Sequence, residues 1–235
     1  MAAIYLVRHG QASFGAADYD QLSDLGVRQS AILGQWLAQS GQEMPLVVTG
    51  SHLRHQQSSA ACIEALAAPA AGRQRRMIQD EGFDEFDHKQ VLARYMPQFA
   101  DGLFSAYLEQ QDNPERAFQR VFVKAVARWV GGEHDAEYHE PWPAFKARCN
   151  GAMARLLDQV GKGQSAWVFT SGGPISVICQ QLLGIPDRQI FDVNWALVNT
   201  SVTKLLYRPG RVSLSYMNNF SHLERACDPT LVSYR

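Results

Sequence analysis

Arg8, His9 and Gly10 close the apolar run AIYLVR and are the residue types from which a site for a phosphoryl group can be built. A guanidinium offers a planar fork to phosphate oxygens, an imidazole nitrogen can attack phosphorus, and a glycine lets the backbone come close to a ligand. A second cation, Arg54, follows the apolar stretch PLVVTGS at the expected start of a helix, where unpaired N–H groups favour an anion. Two arginines at neighbouring strand ends can clamp one phosphoryl group. The segment QDEGFDEFDHKQ carries Asp80, Glu81, Asp84, Glu85 and Asp87. Crowding of carboxylates and partial burial raise a carboxyl pKa toward the range of a general acid. Farther on, Thr170-Ser171-Gly172-Gly173 leads from an expected strand into a helix opening near Pro174, and its N–H groups can form an anion nest. Taken singly, each of these has a plain structural meaning as a strand end, a solvated acidic loop or a turn.

Their chemistry depends on elements that bring them together. Residues 3–8 are almost continuously apolar, the pattern of a strand buried on both faces of a parallel sheet. Ser23 precedes DLGVRQSAILGQWLAQSG, in which Leu25, Ile32, Leu33, Trp36 and Leu37 recur at helical spacing and Gly41 can close the end. A strand at PLVVTGS, a helix from about Arg54 to Ala67 and a strand at RRMIQD continue an alternating order. Residues 86–147 read differently, being rich in aromatic residues, interrupted by Pro97, Pro114, Pro141 and Pro143, and helical in pieces such as 115–130. From Trp142 the spacing predicts a helix ending near Val160, a strand SAWVFTS, a helix PISVICQQLLG and two strands turning at Pro209 and Gly210. The fold expected is α/β, a mostly parallel central sheet with helices on both faces and a helical cap insertion. Residues 1–235 are read as a single domain carrying an approximate insertion at 86–147, because no repeat, low-complexity tract or linker divides the chain.

In a parallel sheet the carboxyl ends of the strands face the ligand crevice, so Arg8 and Arg54 are expected there together. The whole-chain charge adds nothing to such a site: 22 basic residues stand against 23 acidic ones. That balance gives no footprint for nucleic acid or an anionic membrane, and the partner expected is a small phosphorylated molecule. No run approaches the about 18 apolar residues of a membrane span, and the N-terminus lacks the pattern of a signal peptide. Cysteines at 62, 149, 179 and 227 show no CxxC spacing, and the cytoplasm is the expected setting. His134 and His139 are five apart, not the i, i+4 spacing that puts two imidazoles on one helix face, and no GxxxxGK loop is present. No metal is expected at that histidine pair.

The ordered set LVRHGQ, LSDLGVRQSAILGQWL, GSHLR, EFDH, VFTSGGPIS, NTSVTKLLY and NNFSHL resembles the histidine phosphatase superfamily, in its phosphoglycerate mutase-like branch, over nearly the whole chain. The resemblance implies that His9 becomes phosphorylated, that Arg8 and Arg54 hold the phosphoryl group, and that a carboxylic acid protonates the leaving oxygen, with no metal or organic cofactor taking part. Counted from Ser51 the arginine slot falls on His55, and counted back from Ser58-Ser59 it falls on Arg54; only Arg54 offers a permanent bidentate cation. EFDH best resembles the acid's surroundings, which assigns Glu85, with Glu81 in reserve. Where the family has a second histidine, in a pattern like Thr-His-Gly-Gly, this chain has Ser171. Ser171 and the N–H groups of Gly172 and Gly173 are expected to serve the phosphoryl oxygens in its place. His52, His55 and His88 lie near enough in sequence to offset the missing imidazole, and Asn199 and Ser13 are further candidates near the pocket.

Three functions follow from this set. The first is hydrolysis of small phosphate monoesters through a phosphohistidine at His9, with activity reduced if Ser171 donates less than a histidine. The second is transfer of the phosphoryl group to another hydroxyl, as in a phosphoglycerate mutase. The third is a phosphate-ligand or protein-binding module with low activity. Nothing in the sequence sets the oligomeric state.

Overall fold

Alternate residues of the first strand enter different cores, and that division organises the molecule. Strand β1 (Ala2–Arg8) sends Ile4 and Leu6 to one face and Ala3, Tyr5 and Val7 to the other. The first face also receives Leu46, Val48, Ala166 and Val168, the second Val47, Trp167 and Phe169. This is a computed structural model, and it describes residues 2–13, 20–66, 74–98, 107–108, 110–161, 163–208 and 210–234.

The chain divides into two compact units. The first comprises residues 1–85, 148–185 and 190–235. Its six strands are β1, β2 (Leu46–Thr49), β3 (Arg76–Gln79), β4 (Ala166–Thr170), β5 (Val202–Arg208) and β6 (Arg211–Asn219), in the order β3-β2-β4-β1-β5-β6. β3, β2, β4 and β1 run parallel, while β5 is antiparallel to both β1 and β6. The sheet is therefore mostly parallel and β1 is interior, as expected. The turn expected at Pro209 and Gly210 has Gly210 at φ 74°; Pro209 lies outside the described residues.

Helix α1 (Asp24–Gln39) begins at Ser23, whose hydroxyl accepts from the Gly26 N–H at 3.1 Å, and Gly41 follows its end at φ 63°. Leu33 and Leu37 of α1 and Cys62 of helix α2 (Leu53–Ala65) pack on the face bearing Tyr5 and Trp167, whose rings stack at 4.0 Å. α2 is one residue earlier at its start than its sequence suggests and two shorter at its end. On the opposite face lie Ala152, Met153 and Leu156 of the long helix Trp142–Gln159, and Ile175, Ile178 and Cys179 of the helix Gly172–Leu183.

The second unit comprises residues 86–147 with 186–189. It contains helix α3 (His88–Tyr95), helix α4 (Pro114–Gly131) and the opening of the long helix, α5 (Trp142–Gln159). An aromatic cluster forms its core, with the rings of Phe86 and Trp129 4.7 Å apart and those of Trp129 and Trp142 5.1 Å apart. The remaining helices, in the first unit, are α6 (Gly172–Leu183), α7 (Ile190–Ala196) and α8 (Ser221–Glu224). Among the described residues, no helix is long and apolar enough to cross a membrane.

Candidate phosphoryl-transfer site

β1 and β4 are neighbours, yet the chain leaves β1 through α1 toward β2 and leaves β4 through α6 toward β5. Such a divergence of connections opens a crevice at the carboxyl ends of the two strands. Arg8 lies opposite Thr170, the N–H of His9 donates to the Thr170 carbonyl at 2.8 Å, and that of Gly50 donates to the Phe169 carbonyl at 3.2 Å. The tips of β1, β4 and β2 are thus hydrogen-bonded side by side; Arg8, His9, Arg54, Glu85, Ser171 and Gly172 all lie in the first unit, whereas Asp87 and His88 belong to the second.

His9 is 5% exposed. Its Nδ1 stands 2.6 Å from the Gly10 carbonyl oxygen, which can only accept, so Nδ1 carries the proton and Nε2 keeps its lone pair. Burial, then the Arg54 and Arg8 charges, hold its pKa well below the usual histidine range. Its main chain is fastened from a distant strand opening. Asn199 Nδ2 donates to the His9 carbonyl at 3.0 Å, and the N–H of Thr200, at φ 60°, donates to the carbonyls of Arg8 at 3.0 Å and His9 at 3.3 Å. Asn199 is thereby a support of the backbone behind His9.

The two arginines are engaged differently. Arg54 is buried in the first turn of α2 and donates to Asp20 Oδ1 at 2.5 Å, while Asp20 Oδ2 accepts from the Leu53 N–H at 2.8 Å. The Asp20 carboxylate therefore occupies the helix start that the sequence reading reserved for an anion. Arg8 donates through one terminal nitrogen to the Leu197 carbonyl and through the other to that of Tyr234 at 2.9 Å. Ser58, one of the small pair that marks Arg54, accepts from the Gly10 N–H at 2.9 Å and donates to the Arg54 carbonyl at 2.7 Å. Gly10 has a structural reason beyond ligand approach: a Cβ there would lie 2.3 Å from the Gly26 carbonyl oxygen of α1.

The acidic segment is pinned against β4 and α5. Thr170 Oγ1 donates to the Phe83 carbonyl at 2.5 Å, and Arg148 donates to the carbonyls of Glu81 at 2.9 Å and Asp84 at 3.0 Å. Its carboxylates separate by partner. Asp80 pairs with Arg155 at 2.7 Å, Asp84 accepts from the Ser51 N–H at 2.6 Å and hydroxyl at 2.5 Å, and Glu81 is exposed. Glu85 Oε2 accepts from the Gly173 N–H at 3.1 Å, which sets it at the opening of α6. Gly172 beside it lies close to Asn194, whose Oδ1 would be 2.5 Å from a Cβ there, so a side chain at this position requires the Asn194 amide to shift.

Ser171 is the N-cap residue of α6, yet its hydroxyl does not cap the helix. Its Oγ lies 2.7 Å from His55 Nε2, and neither side chain is exposed. The His55 ring centroid is 5.7 Å from that of His9 and 5.1 Å from that of His52. Burial, foremost, and the neighbouring His9, Arg54 and His52 push the His55 pKa well down, so its ring is neutral at pH 7. His55 Nδ1 faces Asp84 Oδ1 at 3.8 Å. His52, His55 and Asp84 present donor atoms within 4.8 Å of one another. That set is wider than the about 3.4 Å separation of ligands held at 2.1 Å around zinc, and both Asp84 oxygens are already taken by Ser51.

Asp20 was not apparent in the sequence as part of this site, because its partner Arg54 is 34 positions away. His222 was likewise missed; its Nε2 lies 3.0 Å from Thr200 Oγ1, under the turn that holds His9. Burial lowers the His222 pKa to about 4. The unfolded chain, near 6.5, therefore takes up a proton before the folded one, and stability is lost as pH falls from 6.5 to 4. The loss attributable to His222 is about 3 kcal/mol, roughly 10 °C in Tm. Thermal melts from pH 7.5 to 4 should show a fall that is shallower in His222→Gln by that amount; equal slopes would refute the assignment.

The sequence profile of the histidine phosphatase superfamily (branch 1) matches residues 4–220. Compared by sequence with curated proteins, the chain has no match. Among solved structures it is similar to phosphoglycerate mutase from Bacillus anthracis str. Sterne, with TM-score 0.66 and 14% identity over 97% of each chain. It is also similar to Bacillus stearothermophilus YhfR, with TM-score 0.65, 17% identity and coverage of 94% of this chain and 99% of that one. For phosphoserine phosphatase from Entamoeba histolytica the TM-score is 0.58 and the identity 18%, over 95% of this chain and all of the other. A likeness at such identities concerns the fold; the profile match over most of the chain makes this protein a member of the histidine phosphatase superfamily, branch 1.

Proposed function

We propose that the protein hydrolyses small phosphate monoesters through a phosphohistidine at His9. The observation that carries this reading is the state of His9: neutral, with its proton on Nδ1 and two arginine charges nearby. Nε2 attacks phosphorus, forming a P–N bond as the ester P–O bond breaks, and Glu85 gives its proton to the leaving oxygen. Water then attacks the phosphohistidine, Glu85 takes a proton back, and phosphate leaves. Arg8 and Arg54 neutralise the phosphoryl oxygens, with Ser171 and the Gly172 N–H completing the cage. No step calls for a metal or an organic cofactor.

Residues 1–235 are then one catalytic domain with an insertion at about 86–147. Three buried thiols, at Cys62, Cys149 and Cys179, suit a reducing cytoplasm. The test is hydrolysis of p-nitrophenyl phosphate in EDTA-containing buffer with rapid quenching. Turnover accompanied by an acid-labile, alkali-stable phosphoprotein is expected; turnover without one would refute the covalent route. The likeness to a phosphoglycerate mutase supports a second reading, transfer to another hydroxyl. Conversion of 3-phosphoglycerate to its isomer, without net release of phosphate, would favour it.

A further inference from the structure

The contact between Ser171 and His55 is not explained by the needs of either helix. An N-cap serine ordinarily accepts an N–H from the first turn, but at α6 the Gly173 N–H is given to Glu85 and the Ser171 hydroxyl turns to the His55 ring 2.7 Å away. That ring lies in the first turn of α2, on a different strand tip, and its centroid is 5.7 Å from the His9 ring. Behind it, His55 Nδ1 is buried without a hydrogen-bond partner and faces the Asp84 carboxylate at 3.8 Å. Asp84 is held in turn by the Ser51 N–H and hydroxyl. Gly50 makes the approach possible, because a Cβ there would lie 2.3 Å from His55 Nδ1 and 2.4 Å from Asp84 Oδ1.

We propose that Ser171 and His55 act as one donor unit of the phosphoryl cage, the Ser171 hydroxyl meeting a phosphoryl oxygen and the His55 imidazole, backed by Asp84, polarising that hydroxyl from behind. The proposal rests on the phosphohistidine reading of the site. When a phosphoryl group binds, His55 Nε2–H donates to Ser171 Oγ, and the hydroxyl proton turns to the phosphoryl oxygen. The Ser171 O–H bond stays intact and only rotates; the ring takes up a proton from solvent as the phosphoryl dianion binds, so that Nδ1–H points to the Asp84 carboxylate while Nε2–H donates to Ser171. Ser171 is the catalytic residue of the pair and His55 its positioning residue, so an imidazole reaches this cage from α2, through a hydroxyl on β4's tip.

A unit acting in series has a signature that mere structural support lacks. Ser171→Ala and His55→Ala are each expected to lower kcat/KM for p-nitrophenyl phosphate on the order of a hundredfold. The double variant should lose no more than either single one, because the second change removes a donor already disconnected. Moving the imidazole to the strand tip, in Ser171→His combined with His55→Ala, should regain at least tenfold over His55→Ala. Melting temperatures identify any variant that fails to fold, and the transplant then decides by its recovery. Multiplicative losses in the double variant, or no recovery in the transplant, would overturn the proposal. Titration with orthovanadate separates this idea from the reading beneath it, since binding needs no turnover. Weaker vanadate binding in Ser171→Ala and His55→Ala supports the unit even if no phosphoprotein forms, whereas equal affinity in wild type and both variants sinks it even if one does.

Discussion

His9→Ala is expected to reduce phosphate-ester hydrolysis by a factor on the order of 10⁴ to 10⁶ and to eliminate the phosphoprotein completely. The size follows from the role: without Nε2 no P–N bond can form, and what remains is the acceleration that two arginines and the cage give to direct attack by water. Loss of fold is not expected to confound the result. Among the described residues, the side-chain hydrogen bond of His9 runs to its own neighbour's carbonyl, and the backbone of residues 8 and 9 is held by Thr170, Asn199 and Thr200. Quantitative phosphate release beside acid- and alkali-quenched labelling measures both effects. Retention of more than about a tenth of wild-type turnover would place the nucleophile elsewhere.

Near-neutral assays suit this measurement. Burial and the two guanidinium groups keep the His9 ring unprotonated, so the nucleophile should remain available below pH 6.5, where a free histidine would lose half its reactive form. Stability sets the lower limit. His9 and His55, both with depressed pKa, add to the cost that His222 imposes as pH falls from 6.5, because the unfolded chain accepts protons that the fold refuses.

Glu85→Gln is expected to slow hydrolysis of alkyl phosphates by about 10²- to 10⁴-fold while sparing nitrophenyl phosphate. An alkoxide cannot depart without a proton, whereas nitrophenolate can. The amide preserves the bond from the Gly173 N–H, so the opening of α6 is undisturbed. Glu81→Gln, at an exposed position, should leave both substrates unaffected. Asp80 and Asp84 are poor rivals, the first paired with Arg155 and the second held through both oxygens by Ser51. Equal slowing of the two ester classes in Glu85→Gln would show that Glu85 places the phosphoryl group and does not protonate the leaving oxygen. Slowing in Glu81→Gln alone would transfer the acid's role to Glu81.

The alternating order of strands and helices was legible in the chain because it rests on local periods and caps. The apolar run ending at Arg8, the Ser23 cap with Gly41 beyond the helix, and the spacing of Leu33 and Leu37 are each written within about five turns of backbone. Residue chemistry was legible too: a guanidinium, an imidazole and a run of carboxylates can be recognised without coordinates. Whether Arg8 reaches toward phosphate or toward the Leu197 and Tyr234 carbonyls cannot be read that way, for those partners lie 189 and 226 positions off.

What only the tertiary structure decided is which of these groups meet. Inserting β4 between β2 and β1 sets Ser171 beside His55, 116 positions earlier in the chain, and Gly173 beside Glu85. The same packing gives Arg54 to Asp20 and sets Gly10 tight against Gly26. Local pattern carries the period of one element at a time, whereas strand order is chosen by how all the elements bury their apolar faces at once. The residue types were present in the sequence; their neighbours came from the sheet.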